Sequence, residues 1–218
     1  MRNAPPPVAP PRRADADRAI IYRLFSDLFA RELTAEMIAG LSELADGPAE
    51  AWTADPRLRL VFEHIRAMAD DPEAASKDLA GVFAHLFLGA GGPYSAPPYE
   101  SFYVSERGIL NQEPVAAMER QLAAMELHVL REFPEPADHV AVELAVAAAL
   151  VESEAPPGQM MEFLENRLNR WLGDFATACA RYDRHGFFAT TARAAAEYVA
   201  ADLERSQTHH LCAGNAGG

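Results

Sequence analysis

The stretch from Glu132 to Leu144, EFPEPADHVAVEL, ends one helical pattern and begins another. Pro134 and Pro136 cannot continue a helix, because proline lacks an amide hydrogen and pushes the residue before it towards extended backbone. Asp138 is placed to cap the helix that follows, and His139 and Glu143, four residues apart, are expected on one face of it. The helix from Asp138 to Val151 is apolar on nearly every side, with Val140, Ala141, Val142, Leu144, Ala145, Val146 and Leu150. Such a helix belongs at the centre of a helical protein.

Outward from this joint the same period repeats. Ile20, Ile21, Leu24, Phe25, Leu28 and Phe29 recur at three- and four-residue steps, and Thr34 opens a shorter helix with Met37, Ile38, Leu41 and Leu44, ended by Gly47-Pro48. Asp55-Pro56 and Asp71-Pro72 each pair a capping residue with a proline suited to the first turn, and predict two further helix starts. A helix from about Pro114 to Arg131 carries Met118, Leu122, Met125 and Val129. Pro156-Pro157-Gly158 precedes a longer one running through Met161, Leu164, Leu168, Trp171, Leu172, Phe175 and Cys179. Gly186 precedes the last, from about Phe187 to Glu204. No strand-length alternation and no internal repeat is present. The expected fold is all-α, a single bundle of about eight helices, with a proline-rich hinge at 133–137 joining halves 15–132 and 138–205. Residues 1–14 read as a disordered proline-rich arm and 206–218 as a flexible tail.

The chain has 218 residues, is 50% hydrophobic and carries a net charge of −13, from 32 acidic residues against 19 lysines and arginines. That length and apolar content can bury a substantial core. The acidic balance argues against a general nucleic-acid binder and favours a basic partner. Solubility is the plain alternative. The two cysteines, Cys179 and Cys212, fit a reducing compartment without a structural disulfide. Arg12-Arg13 is followed by Ala14, Asp15, Ala16, Asp17 and Arg18, so the apolar segment of an export signal is missing. The expected location is the cytoplasm.

A second block, GAGGPYSAPPYESFYVSERG at Gly89 to Gly108, breaks helix with glycines and prolines and then supplies Tyr94, Tyr99, Phe102 and Tyr103. Tyr99 and Tyr103, four apart, would share a face if Pro97-Pro98 start a helix. Two such rings either bind a peptide's apolar segment or pin a long loop onto the core. Asp138, His139 and Glu143 likewise have two readings: a receptor for an arginine through charge-assisted hydrogen bonds, or a helix cap with a buried hydrogen bond. A metal reading lacks a third and fourth ligand nearby, so no metal and no cofactor is expected. The cluster Thr208-His209-His210-Leu211-Cys212 reads as a surface tail. No phosphate loop, nucleophile elbow, zinc-protease or C-x-x-C motif occurs, and no enzyme is expected.

Pro98-Tyr99-Glu100-Ser101-Phe102-Tyr103 in one block, and Glu135-Pro136-Ala137-Asp138-His139 with Ala141-Val142-Glu143-Leu144 in the other, resemble the TorD/DmsD-like redox-enzyme maturation chaperones. Tyr22-Arg23-Leu24-Phe25 and Trp171-Leu172 extend the likeness over most of Asp15 to Glu204. The resemblance implies a cytoplasmic, all-helical chaperone. Its partners would be the twin-arginine leader and the immature catalytic subunit of a molybdenum-containing oxidoreductase, whose cofactor insertion it assists and whose export it delays. By the same resemblance the leader and client site comprises Tyr99, Glu100, Ser101, Tyr103, Pro136, Asp138, His139 and Glu143. A monomer is expected, with a dimer of exchanged halves as the alternative the hinge allows. Two rival functions stand beside this one: a metal-dependent helical enzyme using His139 and Glu143 with Glu100 or His85, and a plain helical adaptor.

Overall fold

The computed structural model describes residues 13–47, 54–105, 113–153 and 155–215. The chain belongs to the all-α class. The helices are α1 (Arg13–Ala30), α2 (Ala35–Asp46), α3 (Arg59–Met68), α4 (Pro72–Leu86), α5 (Glu100–Val104), α6 (Glu113–Ala124), α7 (Val140–Glu152), α8 (Pro157–Asn166), α9 (Leu168–Tyr182) and α10 (Phe187–Asn215), with a 3-10 turn at Gly92–Tyr94. The proline-rich arm expected at 1–14 lies almost wholly outside the described residues.

Local chemistry accounts for the starts of α2 and α4. Thr34 Oγ1 accepts from Met37 N at 3.2 Å, and Asp71 accepts from Ala74 N at 3.1 Å with Pro72 in the first turn. Asp55-Pro56 behaves differently from the expectation. Asp55 is held by the guanidinium of Arg57 at 2.6 and 2.7 Å, so it closes a turn, and α3 begins only at Arg59.

Three further elements depart from their periodicity. α6 ends at Ala124 rather than near Arg131. Glu126 takes a left-handed φ of 57°, and Leu127 N then donates back to Leu122 O at 2.9 Å, a Schellman closure that needs no glycine. The expected long helix after Pro157 is split at Arg167 into α8 and α9. α10 continues past Glu204 to Asn215, where a tail was expected, so the backbone of the histidine cluster there is helical.

α7 is the central helix. Val140, Leu144, Val146, Ala147, Ala148 and Leu150 are all buried, and α1 lies along it, with Ser26 Oγ donating to Ala141 O at 2.7 Å and Arg23 Nε to Glu152 at 2.7 Å. Beside it a ring cluster fills the core: Phe29 meets Phe175 at 5.4 Å and Phe87 at 6.0 Å, and Phe87 meets Phe188 at 5.2 Å. These edge-to-face contacts tie α1, the end of α4, α9 and α10 together. The loop after α4 turns back on the core through Ala96 N to Leu86 O at 2.9 Å. Gly91 in that loop approaches so closely that a Cβ would lie 2.5 Å from His85 O. The loop thereby delivers Pro97 and Pro98 to the N-terminal end of α7.

Candidate functional site

The two unusual blocks of the sequence are paired to each other. Tyr99 and His139 form an isolated antiparallel bridge, in which Glu100 N donates to Asp138 O at 3.0 Å and Val140 N to Pro98 O at 2.8 Å. Each segment is kept from helix by its prolines, so each has free backbone groups for the other. The bridge ends where α5 and α7 begin, and the two helices start from one shared joint.

Asp138 caps the wrong helix relative to expectation. Its Oδ2 accepts from Ser101 N at 2.9 Å, so it caps α5 across the bridge, and His139 caps α7 by accepting from Ala141 N on Nδ1 at 3.1 Å. The antiparallel pairing turns the Asp138 side chain towards Ser101 and leaves the next residue at the start of α7. His139 has φ −70° and ψ 140°, outside the helical region. The rule that residues four apart share a helix face therefore fails for His139 and Glu143. The imidazole instead packs edge-on between Tyr99 at 5.3 Å and Phe133 at 5.1 Å. Burial pushes its pKa down to about 3, so the ring is neutral at ordinary pH.

Tyr99 and Tyr103 also diverge, because Tyr99 is extended (φ −128°, ψ 132°) and only Tyr103 lies within α5. The Tyr99 hydroxyl donates to Glu135 Oε2 at 2.7 Å, which closes the joint on its outer side. The Tyr103 ring stacks on Trp171 of α9, with centroids 5.6 Å apart and planes at 20°. Pro136 is half-buried, and its carbonyl accepts from His139 N at 3.1 Å.

Beneath the bridge lies a charged interior. Glu100, Ser101, Asp138 and Glu143 are fully buried. Glu100 Oε2 accepts from Arg167 Nη1 at 3.0 Å, and Glu143 Oε2 from Trp171 Nε1 at 3.1 Å. Burial, and then the charge of Glu100, hold the Glu143 carboxyl well above its ordinary value, while Arg167 limits the rise at Glu100. Two carboxyls beside one guanidinium cannot both ionise cheaply, so Glu143 keeps its proton and shares it with Glu100. Glu100 Oε1 and Glu143 Oε1 are buried and accept from no other described residue.

The pH consequence has a definite sign. The folded value of Glu143 lies above its ordinary 4.5, so the stability tied to its proton is full below that pH. It is lost as pH rises towards and through the folded value, since the unfolded chain releases the proton first. Glu143→Gln keeps an acceptor for Trp171 and a donor for Glu100 but has no proton to lose. Its melting temperature should fall less than the wild type's between about pH 5 and pH 8. Parallel profiles would contradict this protonation.

The sequence reading missed Arg167, although a signal exists. Arg167 lies three residues after Leu164 and four before Trp171, on the stripe that otherwise carries only apolar side chains. It also missed the surface beside the joint. Between α6 and the joint, Leu127 is 40% and Leu130 64% exposed, and Phe133 N donates to Leu130 O at 3.0 Å. Glu126, Glu132 and Glu135 stand in the same segment. Two surface depressions lie elsewhere, one of about 440 Å³ between α2 and the end of α3, and one of about 290 Å³ lined by Arg57, Arg59 and Arg193. Among the described residues no three His, Cys, Asp or Glu side chains are grouped to hold a metal ion, and no helix is long and apolar enough to cross a membrane.

The family model described as nitrate reductase delta subunit matches residues 51–177. The chain is 32% identical to the chaperone protein TorD of Vibrio parahaemolyticus, covering 81% of this chain and 88% of the relative. It is 33% identical to the chaperone protein TorD of Psychrobacter sp., over 76% and 80% of the two chains, and 33% identical to that of Shewanella loihica, over 88% and 93%. The relatives are named for chaperone work and not for a reaction.

Proposed function

The chain belongs to the TorD family of chaperones, which is not a family of enzymes, and from that we propose that it binds the twin-arginine leader and the immature catalytic subunit of a molybdenum-containing oxidoreductase in the cytoplasm. Leader binding at the joint would keep export from starting before cofactor insertion. One observation carries the reading: the blocks 98–103 and 135–143, distant in sequence, are hydrogen-bonded into one joint, and the segment that leads into it carries exposed leucines and carboxylates.

That segment complements the chemistry of such a leader. Leu127 and Leu130 offer apolar area, and Glu126, Glu132 and Glu135 offer acceptors for arginine. Tyr99, Tyr103 and Pro136 are the half-buried members of the proposed set. Glu100, Ser101, Asp138, His139 and Glu143 lie beneath them and hold the joint in shape. Ser101, Asp138 and His139 fix the backbone that the leader meets. A dimer of exchanged halves would have to rebuild the α1 to α7 packing from two chains.

The test is calorimetric titration with twin-arginine leaders and charge-matched scrambles at two salt concentrations. Binding that depends on sequence and survives added salt is expected, and Leu130→Asp should weaken it about tenfold, as removal of one leucine's burial predicts. Equal binding of leader and scramble would reduce the protein to a non-specific acidic surface.

A further inference from the structure

Arg167 is the single residue between α8 and α9, with φ −123° and ψ −103°. It sits on the buried stripe, and among the described residues its one side-chain bond runs to Glu100 Oε2 at 3.0 Å. The arginine side chain is 17% exposed and the glutamate 0%. The guanidinium is thus the surface end of a contact whose other end has no access to solvent. A guanidinium carries five N–H donors and favours two parallel bonds to a carboxylate. Here it makes one. At the same junction Glu100 Oε1, Glu143 Oε1, Asp138 Oδ1 and Ser101 Oγ have no partner among the described residues, apart from the proton shared by the two glutamates.

The junction therefore offers more acceptor capacity than Arg167 uses. Arg167 closes α8 through its N–H to Phe163 O at 3.0 Å and opens α9 by accepting from Arg170 N at 2.9 Å, so the guanidinium can leave by rotation of its own side chain with that backbone in place. We propose that the buried Glu100–Glu143 pair is a seat for an arginine guanidinium, filled in the free protein by Arg167, and that an arginine of the bound leader takes the seat by displacing it. The identity of the incoming arginine rests on the leader-binding reading above; the seat itself does not. Self-occupancy lowers the apparent affinity for the leader by the fraction of time the seat is filled. It also selects arginine over lysine, since an ammonium cannot reproduce the planar fork.

Arg170, exposed one turn further along α9, also acts electrostatically on Glu100, so it is removed as well in the first variant. Arg167→Ala/Arg170→Ala is melted with low-millimolar methylguanidinium or methylammonium. The seat predicts that methylguanidinium raises the melting temperature of the variant well beyond methylammonium, with little effect of either on the wild type. Equal effects of the two cations would overturn the seat. If that variant does not fold, Arg167→Lys, which keeps the charge and loses the fork, supplies the second reading. It should bind a twin-arginine leader about tenfold more tightly than the wild type does, with no gain for the same peptide carrying lysines. Unchanged or weaker binding would overturn the displacement. A leader that binds none of the proteins would overturn the leader reading and the displacement together, while methylguanidinium rescue would still report the seat.

Discussion

Trp171→Ala should cost about 3–5 kcal/mol of stability, the range for deleting a fully buried tryptophan, and lower the melting temperature by about 10 °C. Trp171 is 0% exposed and packs against Tyr103 and Phe175, so its loss leaves a cavity between α5 and α9. It also removes the donor to Glu143 Oε2, leaving a buried acceptor with no partner of its own. Because Tyr103 and Glu143 support the joint, leader affinity should fall as well, even at temperatures where the variant is folded. Trp171→Phe separates the two effects, for it restores much of the volume but not the N–H. Thermal melts and titrations of both variants check this, and a wild-type melting temperature for Trp171→Ala would remove Trp171 from the core argument.

Asp202→Ala should cost about 3 kcal/mol and leave leader binding unchanged where the protein is folded. Asp202 is fully buried in α10 and accepts from the Tyr22 hydroxyl at 2.6 Å, Arg18 Nε at 2.8 Å and Arg205 Nη2 at 2.9 Å. Arg205 is half-exposed and finds water when the carboxylate is gone. The Tyr22 hydroxyl cannot, since it is enclosed and its ring is held edge-on against Tyr198 at 5.2 Å. The loss therefore comes from Tyr22 and Arg18, which anchor α1 to α10 and share no hydrogen bond with the residues of the joint. A chemical-denaturation midpoint equal to the wild type's, or a large fall in leader affinity, would contradict this separation.

The contrast between these two sites shows what the sequence makes legible. Apolar periodicity identifies the core face of α1, α3, α4 and α9, because burial of a stripe is a local pattern. It marks α7 as central because no face of it is polar. It misplaces the ends of α6, α8 and α10, where Glu126 takes a left-handed turn without glycine, one arginine splits a helix, and a polar tail continues as helix. The site residues are legible as two blocks through their family likeness, but their roles are not. Asp138 precedes α7 in sequence yet caps α5, because its partner amide lies across an antiparallel bridge that no spacing rule encodes. The ion pair of Glu100 with Arg167, 67 positions away in sequence, is likewise encoded by no spacing rule.

The measurement that tests the central claim most directly is amide hydrogen exchange with and without a twin-arginine leader peptide. The amides that hold the joint together are those of Glu100, Ser101 and Val140, bonded to Asp138 O, Asp138 Oδ2 and Pro98 O. Leader binding at the joint predicts slower exchange at these three and along Leu127 to Phe133, with α2 and α3 unchanged. Protection confined to α2, α3 or α10, with the joint exchanging as in the free protein, would place the leader elsewhere and contradict the account.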